Sequence, residues 1–373
     1  LVKGNRVNID KNLITIVALA LIVSLIGLIS ICYNNTTDTT YATYIISMFV
    51  WLSAANVVIS CMRSLNGRVS VETICDYLIA LCFIQCLIAA CVDRIPSVKA
   101  FVDSLINSQG CSLDVAGTRF SAILIMIADR LCTITKDKDR RNRVILYLTA
   151  FVFITIVGNM IARTTTIGVI VALTYIVVLS IINQKQSGTN YSFLWKWITA
   201  VVIITIIAVT FLYNTNPNIR SNIRFGFEGF FSLAETGKWE VHSNDILKNM
   251  VVFPDNLKTW VIGDGHFENP YDSEPYYTGT MWKGYYQNTD IGYLRFIFYF
   301  GIFGLIAFIW YFIKVGTTCV KRFFSHRLLF AILLLLNFII WCKVSTDIFL
   351  VFALFLCLRE EEWDKPKEMT IIK

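Results

Sequence analysis

A chain of 373 residues that is 56% hydrophobic and only 16% charged, with its apolar residues in runs longer than a globular core element needs, is no soluble domain. The net charge of +7 would point to nucleic acid in a soluble protein. Here much of the Lys and Arg lies in short segments between apolar runs, where it orients a membrane protein, so the bilayer is the expected partner and nucleic acid is set aside.

The sequence opens at Leu1 with no initiator Met and no signal-peptide pattern, so helices upstream are expected to have been trimmed. Behind a leader carrying Lys3, Arg6 and Lys11, apolar runs at 13–31, 41–62 and 74–92 each approach the roughly 20 residues that a helix needs to cross about 30 Å of hydrocarbon. A polar stretch, 93–118, precedes a weaker run at 119–135 that contains Asp129 and Arg130. Next comes Lys136-Asp137-Lys138-Asp139-Arg140-Arg141-Asn142-Arg143, whose basic residues are expected to stay in the cytoplasm.

With that segment inside, alternation orders the rest. Runs at 144–162, 164–182 and 195–213 carry the chain out, in and out again. A long polar insertion, 214–289, is then periplasmic, 290–313 returns, and 328–341 with 348–358 forms a last hairpin before an inner tail, 359–373. The expected fold is an all-α polytopic membrane protein with about ten transmembrane helices and one large periplasmic loop. Residues 1–213 carry seven spans and 290–358 three. The expected location is a bacterial inner membrane, with both ends of this chain cytoplasmic.

Cysteine usage adds little. Most of the eleven Cys lie in or beside apolar runs and no Cys-x-x-Cys occurs, so packing is the expected role, with Cys91 and Cys111 as a possible pair across one outer loop. No metal or cofactor is expected. Asp137-Lys138-Asp139 matches the D-x-D of nucleotide-sugar transferases, but a solvated charge run explains it better. Asp264, His266 and Glu268 alternate as in a metal site, and a turn with surface acids is the alternative reading. Trp239, Trp260, Tyr271, Tyr276, Tyr277, Trp282, Tyr285 and Tyr286 crowd the insertion, either to stack on sugars or to form the loop's own core.

Charge position is the main functional signal. Arg163 is the only charged residue in 144–182 and falls at the outer apex of a tight hairpin. Arg220 and Arg224 leave the membrane one helical turn apart, and Arg295 lies a turn inside the eighth span, where an unpaired charge costs roughly 2.5–3.5 kcal/mol. All four face one compartment. Guanidinium groups bind phosphate oxygens bidentately and stay charged, so the set suits a lipid-linked pyrophosphate. The bland readings are snorkelling for Arg163, solvated loop charges for Arg220 and Arg224, and a structural pair with Asp290 or Asp347 for Arg295. An acceptor hydroxyl also needs a base. Asp290 leads, His242 and His266 follow, and a helix N-terminal residue is the plain alternative for Asp290.

Three stretches together carry a likeness: Ala162-Arg163-Thr164-Thr165-Thr166-Ile167-Gly168, the Val261-Ile262-Gly263-Asp264-Gly265 turn, and Thr289-Asp290-Ile291-Gly292-Tyr293-Leu294-Arg295 followed by Gly301-Ile302-Phe303-Gly304. In order and spacing they resemble the O-antigen polymerase and O-antigen ligase superfamily, from 144 to the C-terminus. The resemblance implies a glycosyltransferase whose donor is an undecaprenyl-pyrophosphate-linked glycan, with a flippase and a chain-length regulator of the same pathway as partners. Charge position and chemistry make Arg163 and Asp290, with His242 and His266 behind them, the expected catalytic residues, and Arg163, Arg220, Arg224, Tyr293 and Arg295 the expected substrate contacts. Ligases typically carry a His at the start of the span after the large loop. Thr289-Asp290 stands there, which favours a polymerase over a ligase. A lipid-linked glycan transporter is the other alternative, though no internal repeat is visible.

Overall fold

A backbone in hydrocarbon has no water to bond, so each apolar run must satisfy its own N–H and C=O groups as a helix. The computed structural model describes residues 10–95, 97, 116–134, 140–187, 191–270, 274–275, 281–282 and 284–363. Its helices in chain order are α1 (Lys11–Asn34), α2 (Tyr44–Asn66), α3 (Val71–Arg94), α4 (Ala116–Thr133), α5 (Arg140–Ile161), α6 (Thr165–Ser187) and α7 (Ser192–Thr215). Within the insertion lie α8 (Pro217–Gly226), α9 (Glu228–Thr236), α10 (His242–Asn249) and α11 (Leu257–Val261), with a two-residue ladder pairing Glu274–Pro275 and Met281–Trp282. The chain then returns through α12 (Gly292–Arg322), α13 (Arg327–Ile340) and α14 (Phe349–Leu356). Cys111 and the 135–139 segment, with the disulfide and D-x-D readings placed on them, lie outside the described residues, as do Tyr271, Tyr276 and Tyr277.

This is a predominantly helical, membrane-embedded protein: among the described residues seven helices, α1, α2, α3, α5, α6, α7 and α12, are long and apolar enough to cross a bilayer. The other three expected spans form shorter or more polar helices. The 18 residues of α4 reach about 27 Å, the 14 of α13 about 21 Å and the 8 of α14 about 12 Å. Helices α4 and α14 are packed almost wholly inside the bundle and α13 packs one face into it while Leu335 faces outward, and short helices and non-helical links are tolerated where protein covers them. The contrast is α7, whose apolar window has no buried residue and turns Ile203, Ile204, Ile206 and Ile207 outward. Lipid solvates that face.

Helix α4 explains its own weak signal. Its apolar residues from Phe120 to Leu131 are almost fully buried, and the two buried charges of its three, Asp129 and Arg130, are met by neighbours rather than by water. Tyr175 Oη donates to Asp129 Oδ1 at 2.6 Å, while Arg130 holds Asp76 through Nε at 2.8 Å and Nη2 at 3.3 Å. Small residues let α6 come close: a Cβ on Gly168 would stand 2.3 Å from Ser121 Cα.

Helix α12 is the spine, and it breaks at Phe300 and Gly301, where Gly301 takes φ +70°. The break frees carbonyls. The Gly263-Asp264-Gly265 turn meets them, Asp264 N–H donating to Phe298 O at 2.6 Å and Gly265 N–H to Tyr299 O at 3.1 Å, with Ser30 Oγ also donating to Tyr299 O at 2.6 Å. Below the break Phe308 stacks on Trp341 at 5.1 Å, next to Tyr41 and Phe296.

Polar contacts between distant segments sort to two ends of the bundle. At one end Asn34 meets Gly263, Thr36 meets Gly265 and Asp38 meets Phe267. At the other, Arg63 pairs with Glu362, Arg322 with Asp10, and His326 bridges Asp129 and Glu72 at 3.0 Å each.

Candidate functional site

The α5–α6 hairpin turns at Ala162-Arg163-Thr164, held from below by Ser121 Oγ donating to Thr164 O at 3.0 Å and by Thr166 Oγ1 donating to Asn159 Oδ1 at 2.5 Å. Arg163 therefore has a fixed root. Its guanidinium lies 4.2 Å over the Phe225 ring and 2.9 Å from Glu228 Oε2, so the short helices α8 and α9 fold back onto the hairpin. Gly226 allows this, since its Cβ position is 3.2 Å from Asn159 O.

From the opposite wall comes the start of α12. Arg295 is nearly buried; Nη1 donates to Ser345 Oγ at 2.7 Å, Nη2 to Phe267 O at 2.9 Å, and Asp290 Oδ1 stands 3.7 Å away. Its plane lies 3.5 Å from the Phe267 ring centre and 4.7 Å from that of Tyr285. The expected pairing with Asp290 is thus present, while Asp347 instead accepts the Phe349 N–H at 2.8 Å just before α14.

Between these walls is a cavity of about 770 Å³. Arg163, His242, Asp290 and Arg295 all line it, as do Tyr285, Lys343 and Ser345. Burial pushes the Asp290 carboxyl up to about 6, against the opposing pull of Arg295, a Tyr285 hydrogen bond and Lys343. Burial, helped by Arg163, lowers Lys343, and Asp290 opposes that shift. Arg295 and Lys343 thus act on this carboxyl, and Arg163 lines the same cavity. Among the described residues, Nε of Arg163 and Nε of Arg295 are buried without a hydrogen-bond acceptor. Buried donors at a cavity wall call for a ligand or water to accept from them.

Not every residue singled out from the sequence converges here. Arg224 pairs with Glu235 at 2.8 Å and borders an adjoining cavity of about 490 Å³ shared with Arg163, Glu228 and His242. Arg220 is exposed and lies over Tyr213 at 4.9 Å, outside both cavities. Tyr293 is structural: its hydroxyl donates to Phe338 O at 3.0 Å and its ring meets Trp341. His266 packs against Tyr286 at 5.2 Å, and burial lowers its pKa, with Asp38 and Asp264 opposing. Asp264 is occupied by Lys258 Nζ at 2.5 Å and Thr259 Oγ1 at 2.7 Å, and no group of three His, Cys, Asp or Glu among the described residues is arranged to hold a metal ion. The turn reading of this stretch therefore describes its geometry. Of the loop aromatics, Trp260 stacks on Phe253, Trp239 meets Phe230 edge to face, and Tyr285 lines the cavity.

Lys343 escaped the sequence reading, and its signal was there: a lone cation in the turn between the last two apolar runs, at the end opposite the basic loops.

A third recess is wholly different in character. About 500 Å³ of groove between α5, α6 and α7 is lined by residues such as Phe151, Ile198 and Ile206, and Ile223, Phe227, Phe230 and Phe231 roof it. Phe231 also borders the Arg163–Arg224 cavity, so the apolar groove runs up to the cationic one.

No family model, curated protein or solved structure matches this chain.

Proposed function

We propose that the protein is a membrane glycosyltransferase that polymerises undecaprenyl-pyrophosphate-linked oligosaccharide repeat units into a surface polysaccharide, at the periplasmic face of a bacterial inner membrane. The observation that carries this reading is an apolar groove that meets the Arg163–Arg224 cavity at Phe231, that cavity in turn sharing Arg163 and His242 with the one lined by Arg295, Lys343 and Asp290. A lipid-linked anion has those two halves.

In this reading the donor's isoprenoid chain lies along α5, α6 and α7, and its pyrophosphate meets Arg163 and Arg224. Cleaving the sugar–phosphate bond leaves the electron pair on the departing pyrophosphate. Cations already in place stabilise that charge more in the transition state than in the ground state. The acceptor hydroxyl attacks the anomeric carbon as its proton passes to the Asp290 carboxylate, which burial has tuned close to neutrality. Glu228 holds Arg163 in place at 2.9 Å until phosphate oxygens replace it.

Glycans from cells carrying Arg163→Ala provide the test. Single repeat units where the wild type shows a ladder are expected. A ladder retained on the lipid carrier, with bare core, would identify a ligase instead. Unchanged glycans would sink the reading altogether.

A further inference from the structure

A smaller cavity of about 290 Å³ opens sideways between α2, α4 and α14. Its mouth carries Ser47, Trp51, Arg119 and Leu350, all exposed on the outer wall of the bundle. Its floor carries Tyr44 and Asp347, and the Asp347 carboxylate, which accepts one backbone N–H, has lone pairs left over for a hydroxyl. Thr118 lines this cavity and the central one alike. Thr118 and Thr346, whose hydroxyls hydrogen-bond at 2.6 Å, are the partition between them.

The donor groove lies elsewhere, along α5, α6 and α7. Joining two lipid-linked glycans requires two carriers at once, each with its chain in the bilayer and its head at the same reaction centre. One groove cannot hold both. A guanidinium at a membrane-facing mouth, an aromatic wall and a carboxylate floor form the combination that takes a phosphate, a sugar face and a sugar hydroxyl.

We infer that this lateral cavity is the acceptor port: Arg119 holds the pyrophosphate of the incoming lipid-linked repeat unit, Trp51 and Asp347 hold its first sugar, and the glycan passes Thr118 and Thr346 to reach the donor. The inference rests on the polymerase reading. The cavity lies at the small end of ligand sites, so it seats the head of the acceptor and not the whole glycan.

The test uses the full chain in proteoliposomes, with an unlabelled long-chain lipid-linked donor and a radiolabelled single-repeat lipid-linked acceptor. Arg119→Gln is expected to raise the acceptor KM about tenfold with the donor KM unchanged, the scale of one lost charge-assisted contact. Arg119→Lys should recover part of it. Ser47→Trp, which fills the mouth without touching a charge, should raise the acceptor KM as well. A photoreactive acceptor, modified in the isoprene next to its pyrophosphate, should label the first turns of α2. Equal changes in both KM values, no change in either, or labelling confined to α5–α7 would overturn the port. So would an Arg119→Gln effect that vanishes when anionic phospholipid is left out, because the site would then bind ordinary headgroups. A wild-type chain that forms no product from this pair sinks the polymerase reading and the port with it. An active wild type with an indifferent Arg119→Gln sinks the port alone.

Discussion

At the residue scale the cavity chemistry turns on Asp290. Its carboxyl is pushed up to about 6 because burial disfavours the charged form more than Arg295 and Lys343 favour it. A base works only when deprotonated. The sign is therefore fixed: below pH 6 the group is mostly protonated and idle, above it the group accepts a proton, and kcat/KM should rise with pH to a half-maximum near 6. Asp290→Asn should lower the rate about 10²–10⁴-fold and remove that limb of the profile. A pH series on both proteins in proteoliposomes checks it, and an unaltered limb in the Asn variant would assign the base elsewhere. Of the residues named for this role beforehand, His242 shares the cavity and His266 does not. Both are loop histidines in a row of letters. Only the fold of α10 against the hairpin separates them.

At the element scale the broken helix α12 and the Gly263-Asp264-Gly265 turn are two halves of one device. Gly263 has φ +83° and Gly301 φ +70°; a Cβ on Gly301 would lie 2.2 Å from Val261 O, and one on Gly263 would lie 2.4 Å from Tyr299 O. Each glycine gives the other's backbone room. Gly301→Ala should therefore cost at least the roughly 1–3 kcal/mol of an unfavourable backbone region, with the clash added. Thermal unfolding in detergent of Gly301→Ala, Gly263→Ala and the double variant should show less than additive losses, since both remove the same interlock. Additive losses would mean independent sites. The turn itself could be read from its glycines, whereas its partner lies 35 or more residues away in a run that looks like uninterrupted helix. Gly301 and Gly304 mark a weak point in that run, but glycines are common in membrane helices and do not by themselves announce a break.

At the scale of the whole molecule, the ends of the helices form two polar layers with a lipid-solvated belt between them. One layer is stapled by the tail. Glu362 Oε2 lies 2.8 Å from Arg63 Nη2, Oε1 accepts from Arg63 Nε at 3.0 Å, and Oε2 also accepts the Arg359 N–H at 2.8 Å. With the carboxylate only 2% exposed, its loss strands the guanidinium, and Glu362→Ala should destabilise the protein by roughly 3–5 kcal/mol. Denaturant unfolding against Arg63→Ala and the double variant measures it; a cost well below 1 kcal/mol would show a solvated pair. The candidate site lies in the opposite layer, so glycan synthesis by this variant should track the amount of folded protein.

What the sequence by itself determined is the helical, membrane-embedded class, the hairpin with Arg163 at its apex, and the insertion with informative residues at its rims. Runs of apolar residues can form nothing but helices in lipid, and a lone charge between two such runs can only sit at their joint. Tertiary structure alone decided that Arg163, Arg295, Asp290 and His242 share a cavity, that Lys343 joins them, and that Tyr293, His266 and Arg220 do not. Tertiary structure also gave α4 its place at the core despite Asp129 and Arg130, and made the last two apolar runs short helices, α13 buried on one face and α14 almost throughout. The reason is the same in each case: hydropathy registers what faces lipid, and a residue that faces other helices is decided by partners far along the chain.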